Sequence, residues 1–184
     1  MMIDLSNEMR AAGQASTPLH FKHLLGLGVP RATVAELRRD DWGWGIVKAV
    51  DVGDGLYRPG DGPLNLVLPV CDDGDLIDLV AFRSGNPADW LLRTGRGLAL
   101  GLEQGWERHH WDDEVELSLT PLDWLRNGCD GLCIVDWDAP DIAMLASLPR
   151  IVCPSAGAAS QLRRAITRPQ PLPSIYVKEL RDAA

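Results

Sequence analysis

The stretch Leu132-Cys133-Ile134-Val135-Asp136, continued by Trp137-Asp138-Ala139-Pro140, decides the fold class of this 184-residue chain. Its run of apolar residues is typical of a buried strand, and the acids that follow mark the end of that strand. Pro140 to Leu148 then predicts a helix. A buried strand followed by a helix is the repeating unit of a parallel α/β sheet.

The same alternation of strand and helix continues on both sides of this stretch, from Val115 onward. The other predicted strands are Val115 to Leu119, Ile151 to Cys153 and Ser174 to Val177, and the other predicted helices are Pro121 to Asn127 and Ala156 to Ile166. We therefore predict a small parallel α/β unit over residues 114–184. Ligands bind such units beyond the carboxyl ends of the strands, so we expect a site just after Leu119, Asp136 or Cys153.

Two different patterns precede this unit. Residues 1–42 predict a helical preface, with Thr17 as the N-cap of a helix that opens at Pro18 and a short amphipathic helix from Pro30. Residues 43–113 predict mainly antiparallel β structure, and Asp72-Asp73-Gly74-Asp75 predicts a hairpin turn because glycine tolerates positive φ. The predicted fold class is α/β, or α+β for the chain as a whole, in a single domain over 1–184.

Composition restricts the compartment and the kind of partner. The net charge of -8 and the pI near 4.9 disfavour whole-surface binding to nucleic acid, so such binding needs a local basic patch. The N-terminus has no apolar signal region and no long apolar span follows, which predicts a cytoplasmic protein without membrane contact. Cysteines 71, 129, 133 and 153 lack the spacing of a zinc site and are interpreted as core thiols.

Asp136 and Asp138 are the candidate metal ligands. If the strand stays extended through both, their side chains point the same way, and paired carboxylates suit Mg²⁺ or Mn²⁺. Alternatively, Asp136 ends the strand and Asp138 caps the helix that opens at Pro140, and we favour this second interpretation.

Ser155 and Gly157 form a candidate anion site between a strand and a helix. A helix N-terminus offers free N–H groups and the positive end of a dipole, which suit a phosphate. The alternative is an ordinary turn in which Ser155 serves as the N-cap. His109 to Glu114 carries metal-ligand residue types but is interpreted as a solvated loop.

Other surface features allow a partner site. Four tryptophans, at 42, 44, 106 and 111, lie among charged residues in predicted connections, where exposure would suggest a partner surface or a base-stacking platform. Core anchoring of loops is the favoured interpretation. Arginines 83, 93 and 96, and arginines 163, 164 and 168, could form basic patches, although solvated surface is the default for both.

The stretch Pro63 to Ala81, with Gly95 to Gly101 after it, resembles the hairpin before the Toprim domain in phage- and plasmid-type DNA primases. The α/β unit from Val115 is then similar to a shortened Toprim fold. In that family the first strand ends in a catalytic Glu, followed by Gly and then Asp. Here the same place reads Leu119-Thr120-Pro121-Leu122-Asp123, so Asp123 fits and Leu119 replaces the acid.

The resemblance also concerns the metal pair. The family carries an Asp-x-Asp pair on its third strand, whereas Asp136-Trp137-Asp138 follows the second strand of this chain. The resemblance therefore implies a relative of mobile-element primases, of prophage or similar origin, that has lost the phosphoryl-transfer acid.

Three functions follow as hypotheses. The leading one is a non-catalytic Toprim-like protein that binds a partner protein or nucleic acid. The alternative is a Mg²⁺-dependent phosphoryl-transfer enzyme, primase- or nuclease-like, in which Asp136 and Asp138 hold the metal and Glu116 or Asp123 supplies a further oxygen. The third is an assembly subunit, which exposed and clustered loop tryptophans would favour.

Overall fold

The computed structural model describes residues 3–37, 43–103 and 114–169 of the chain. Three helices come first: α1 (Leu5–Gln14), α2 (Pro18–Gly26) and α3 (Arg31–Leu37). Asp4 caps α1 by accepting a hydrogen bond from the backbone N–H of Asn7. Thr17 is the N-cap of α2, which opens at Pro18 and ends at Gly26. The predicted helical preface is confirmed for the described residues.

A four-stranded antiparallel sheet, the first sheet, follows. Its strands are β1 (Gly45–Gly53), β2 (Leu56–Asp72), β3 (Asp75–Arg83) and β4 (Asn86–Leu92), in the order β1-β2-β3-β4. The predicted hairpin between β2 and β3 is confirmed, with φ of 51° at Asp73 and 79° at Gly74. Positive φ at both central residues gives the turn the twist of the flanking strands.

Strand β2 contains a large bulge that the apolar pattern did not predict. Lys48 of β1 faces Leu64, yet the next residue, Ala49, faces Pro59. Residues 60–63 therefore loop out of the ladder, and the sequence of this loop is rich in glycine and proline. Because Leu56–Pro59 pairs with β1 on the far side of the bulge, β2 begins well before its apolar residues, Leu64 to Val70.

The second sheet has the order β5-β7-β6-β8. Its strands are β5 (Ala99–Leu100), β6 (Val115–Ser118), β7 (Leu132–Ile134) and β8 (Ile151–Val152). Strand β6 runs parallel to β7 and β8, as predicted, whereas β5 pairs with β7 antiparallel. The unit is therefore a mixed sheet rather than a wholly parallel one, because the short β5 segment completes its edge.

Helices connect the strands of the second sheet. They are α4 (Pro121–Arg126), a 3-10 helix (Ile142–Ser147) and α5 (Ala156–Ile166). The bounds of α5 match the prediction, whereas the helix predicted from Pro140 to Leu148 is a shorter 3-10 segment. The strand predicted from Ser174 to Val177 lies outside the described residues.

Three apolar clusters hold these layers together. The first packs α2 and α3 against the first sheet and one face of the second, and it includes Leu24, Phe82, Leu100, Trp124 and Cys133. The second lies between the other face of the second sheet and α5, and the third lies under α1. Burial of apolar surface on both faces of both sheets is the main driving force for this packing. The single-domain assignment stays a prediction.

The four cysteines differ in burial. Cys133 is buried in the first cluster, whereas cysteines 71, 129 and 153 are half-buried. Burial, followed by the nearby Glu103 carboxylate, raises the pKa of Cys71 to about 11. The thiol is therefore protonated at neutral pH. Within residues 3–37, 43–103 and 114–169, no helix combines the length and the apolar character needed to cross a membrane.

The connection between the two sheets is organised by one buried carboxylate, that of Asp78 on β3. Asp78 is fully buried. Its Oδ1 accepts hydrogen bonds from the backbone N–H groups of Leu79, Arg93 and Thr94, at 2.7, 3.0 and 2.8 Å. Its Oδ2 accepts from Arg96 and Gly97, at 2.8 and 3.0 Å. The side chain thereby holds the turn that leads from β4 to β5.

Replacing Asp78 with asparagine should destabilise the fold by about 3 kcal/mol, because the amide NH₂ would face backbone N–H donors and leave them unpaired. Chemical denaturation monitored by tryptophan fluorescence measures this change. Asp61→Asn is the control, since Asp61 is fully exposed and lies 4.0 Å from Lys48. Equal stability of the two variants would contradict a structural role for the Asp78 carboxylate.

Candidate functional site

The carboxyl ends of the parallel strands meet at one edge of the second sheet. Leu117 of β6 faces Leu132 of β7, and Glu116 faces Val152 of β8. The loops after these three strands therefore leave the same edge, where ligands bind in open α/β sheets. This edge carries the segments that the sequence predicted as the site.

The loop that carries Asp136 is fixed by backbone contacts from other elements. The N–H groups of Val135 and Asp136 both donate to the carbonyl of Leu98, at 2.9 and 3.2 Å. The indole N–H of Trp90 on β4 donates to the carbonyl of Val135 at 2.8 Å. The sequence did not single out Leu98 or Trp90 for this role, because both contacts join segments far apart in the chain.

Asp136 and Asp138 lie in a turn rather than on an extended strand. Strand β7 ends at Ile134, and Asp136 Oδ1 accepts a hydrogen bond from the N–H of Asp138 at 2.9 Å. The Asp138 carboxylate forms an ion pair with the guanidinium of Arg168. The extended geometry needed to place both side chains on one side is therefore absent at these residues.

The interpretation of Asp138 as the cap of a helix that opens at Pro140 is wrong. The 3-10 helix begins at Ile142, and its N-cap residue, Asp141, makes no side-chain capping hydrogen bond. Asp138 therefore does not cap a helix that opens at Pro140. Asp136 instead closes the turn that precedes this helix, which is the usual role of an aspartate that bonds to the backbone two residues on.

Glu116, suggested as an additional metal ligand, lies away from Asp136. Because Leu117 faces Leu132, Glu116 lies beside the beginning of β7, whereas Asp136 follows its end. The Glu116 carboxylate accepts from the side-chain amide of Asn127 at 3.0 Å. The structure therefore does not bring Glu116 to the Asp136 edge.

The Asp123 carboxylate accepts hydrogen bonds from protein groups at the start of α4. Its Oδ2 accepts from the hydroxyl of Thr120 at 2.8 Å, and its Oδ1 lies 3.2 Å from the guanidinium of Arg126. Arg126 also donates to the carbonyl of Leu27 at 2.8 Å, which ties α4 to the end of α2. Asp123 thus stabilises a helix start and a contact between helices.

The described part of the chain contains no group of three or more His, Cys, Asp or Glu residues that could hold a metal ion. Asp136 and Asp138 remain a predicted pair without a third protein ligand among those residues. Residues 104–113 lie outside the described ranges, so Glu114 is the one described residue of the segment His109 to Glu114. Glu114 forms an ion pair with Arg150.

Ser155 is the N-cap of α5, and its Oγ accepts from the N–H of Ala158 at 3.1 Å. Gly157 lies in the first turn of the helix and is exposed. The interpretation of Ser155 as an N-cap is confirmed. Anion binding at Ser155 and Gly157 stays a prediction.

Arginines of both predicted basic patches are paired with carboxylates. Arg83 lies 3.5 Å from Asp89, and Arg93 donates two hydrogen bonds to Glu8 at 2.7 and 2.8 Å. The hydrogen bond with Glu8 raises the pKa of Arg93 above its ordinary value. With Arg168 bound to Asp138, Arg163 and Arg164 on α5 are the exposed arginines left in the second patch.

Trp44 belongs to the core. It is 5% exposed and meets Phe21 edge to face, with 4.9 Å between ring centroids. The expectation of core anchoring is confirmed for Trp44. Tryptophans 42, 106 and 111 lie outside the described residues.

Comparison with known proteins shows a similarity of fold. No protein-family model matches the sequence, and no curated protein matches it significantly. A crystal structure of the Aquifex aeolicus primase, comprising its zinc-binding and RNA polymerase domains, is similar to this chain with a TM-score of 0.58 and 12% identity. The match covers 88% of this chain and 49% of that one, so this chain spans about half the length of the primase structure. The chain therefore has a primase-like fold.

Replacing Ser155 with alanine should destabilise the protein by about 1 kcal/mol through loss of the N-cap. Ser160→Ala, in the middle of the same helix, is the control and should be neutral or slightly stabilising because alanine is the better helix former. Thermal melts with and without millimolar phosphate measure both variants. If phosphate stabilises the wild type but not Ser155→Ala, Ser155 binds an anion as well as capping the helix.

Proposed function

We propose that this chain is a non-catalytic protein with a primase-like fold that binds a partner protein or nucleic acid. The observation that carries the proposal is Leu119, which follows β6 at the place where the resembled primases carry their catalytic Glu. Leu119 is 44% exposed at the carboxyl edge of the second sheet. An exposed apolar side chain can neither bind a metal ion nor transfer a proton, but it suits contact with a partner.

The local partners of the acidic residues support the same proposal. Asp136 closes a turn, Asp138 pairs with Arg168, and Asp123 bonds to Thr120 and Arg126. An arginine paired with a carboxylate offsets the negative charge that would attract a metal ion, and this applies to Asp138 and Asp123. These contacts therefore favour structural roles for the three acids.

The similar structure also bears on the kind of partner. It contains the zinc-binding and RNA polymerase domains of a primase, and this chain spans about half of it. Fold similarity alone does not transfer an activity when the site residues differ. We therefore take only the fold from the comparison, and we propose nucleic acid as one class of partner without a polymerase reaction.

Asp136 and Asp138 are the residues that would hold Mg²⁺ in the alternative, enzymatic function. A bound metal ion would position and neutralise a phosphate group there. The donor set does not fit this role well, since Asp138 is paired with a cation and Glu116 lies at the other end of β7.

A thermal melt with and without millimolar Mg²⁺ or Mn²⁺ separates the two functions. The non-catalytic proposal predicts no metal-dependent rise in Tm for the wild type or for the Asp136→Asn/Asp138→Asn variant. A site filled at a hundred times its Kd would instead add about 2.7 kcal/mol, a shift of several degrees. A rise that the variant loses would overturn the proposal and lead to primase and nuclease assays.

A binding experiment tests nucleic acid as the partner. We expect fluorescence anisotropy to report weak binding of labelled single-stranded DNA at low salt, and the Arg163→Gln/Arg164→Gln variant to lose it. The Arg10→Gln/Arg58→Gln variant has the same net charge and should retain binding. Two phosphate contacts predict a slope of about −1.4 for log K against log salt concentration. Absence of binding to wild type at low salt would leave a protein as the partner.

A further inference from the structure

Strand β8 (Ile151–Val152) forms one edge of the second sheet, and the described residues supply no strand beyond it. Val115 of β6 faces Ile151, and the N–H of Val115 donates to the carbonyl of Arg150 at 3.0 Å. Because the peptide groups of successive residues point to opposite sides of a strand, the N–H and the carbonyl of Ile151 point away from β6. One donor and one acceptor of β8 therefore face the open side of the sheet.

The side chains of β8 are covered less than those of the neighbouring strand β6. Val115 and Leu117 of β6 are 0% and 4% exposed, whereas Val152 is 37% exposed and Ile151 is half-buried. Ile151 packs against the second cluster, on the face that α5 covers. Because neighbouring side chains of a strand alternate between faces, Val152 lies on the opposite face. An added strand would thus cover apolar surface on both faces of β8.

The connections of the second sheet indicate which segment belongs beyond β8. The chain passes from β7 to β8 through the 3-10 helix, which packs on the face of the second cluster through Ile142 and Leu145. Helix α5 follows β8 on the same face, through Leu162 and Ala165. Crossovers between parallel strands have the same hand almost without exception. A chain that leaves β8 through α5 therefore continues in the direction from β7 to β8, to the open side of β8.

The sequence after α5 contains the predicted strand Ser174 to Val177, which lies outside the described residues. Three of its four residues are of the β-branched or aromatic types that favour strands. The chain before it is long enough to reach β8. Arg168 pairs with Asp138, which follows β7, and three strand spacings of about 14 Å in total separate β7 from a strand beyond β8. Residues 169–173 can span up to about 17 Å.

We propose that Ser174 to Val177 pairs with the open side of β8 as a further parallel strand of the second sheet. Its backbone bonds to the N–H and the carbonyl of Ile151. Ile175 lies beside Ile151 on the face of α5, and Tyr176 lies beside Val152 on the other face, where its hydroxyl reaches water. The segment thereby prevents a strand of another protein from pairing with β8. This pairing does not depend on the partner proposed above.

Hydrogen exchange in the full-length chain tests the pairing at one amide. We expect the N–H of Ile151 to exchange slowly in the wild type and about ten times faster in the Ile175→Asp variant, because a charge on the face of α5 releases the strand. Gln170→Asp adds the same charge to the connector and should leave the rate unchanged. The N–H of Val67, on β2 between β1 and β3, should keep its rate in both variants and shows that they fold.

Nuclear Overhauser contacts test the position and direction of the segment. Parallel pairing places the backbone protons of Ile151 close to those of Ser174, Ile175 and Tyr176, so we expect cross-peaks between them in the wild type. Light scattering on the same sample should give the mass of one chain, which shows that the segment pairs within its own chain.

The pairing is wrong if the N–H of Ile151 exchanges fast in the wild type, or if Ile175→Asp leaves its protection intact. Equal acceleration in Ile175→Asp and Gln170→Asp would attribute the effect to charge rather than to the loss of a strand. Cross-peaks that occur only in a dimer would place the segment on a second copy of the chain.

Discussion

The carboxylate of Asp78 is the contact on which the placement of the two sheets depends. A buried charge is costly unless it is fully hydrogen-bonded, and Asp78 meets this requirement with five backbone N–H groups. Four of those groups belong to the turn after β4, so satisfying the charge also fixes the path of the chain into β5. Leu98, at the end of that turn, then holds the loop of Asp136 through its carbonyl. Contacts that begin at the first sheet thus fix the position of the candidate edge.

Charge pairing explains why this acidic chain presents few free carboxylates at the candidate edge. Asp138 is neutralised by Arg168 and Asp123 by Arg126, while Asp136 is used by the backbone of its own turn. Exposed ion pairs contribute little stability, so their effect is mainly on the local potential. An edge with paired acids and an exposed Leu119 is suited to contact with a partner more than to holding a metal ion.

The ion pair between Glu8 on α1 and Arg93 is less exposed than the pairs at the candidate edge. Its side chains are partly buried, with exposures of 26% and 14%. Less solvent reaches this pair, so its charges are screened less than those of the surface pairs. Gly45 lets α1 approach closely, since a Cβ at this position would lie 2.4 Å from the backbone carbon of Ala12. The absence of a side chain at Gly45 therefore lets α1 dock directly on the first sheet.

Local sequence determined the elements whose signals are local. Thr17-Pro18 started α2, Asp73-Gly74 turned the hairpin, and Ser155 capped α5, because each signal acts on backbone groups within a few residues. The alternation of strand and helix likewise determined the fold class and the edge where a site would lie.

Only the tertiary structure decided the partners of the acids. Arg168 reaches Asp138 across thirty residues, and the register of β6 against β7 carries Glu116 away from Asp136. Such contacts depend on how distant segments pack and on strand pairing, which no spacing along the chain specifies.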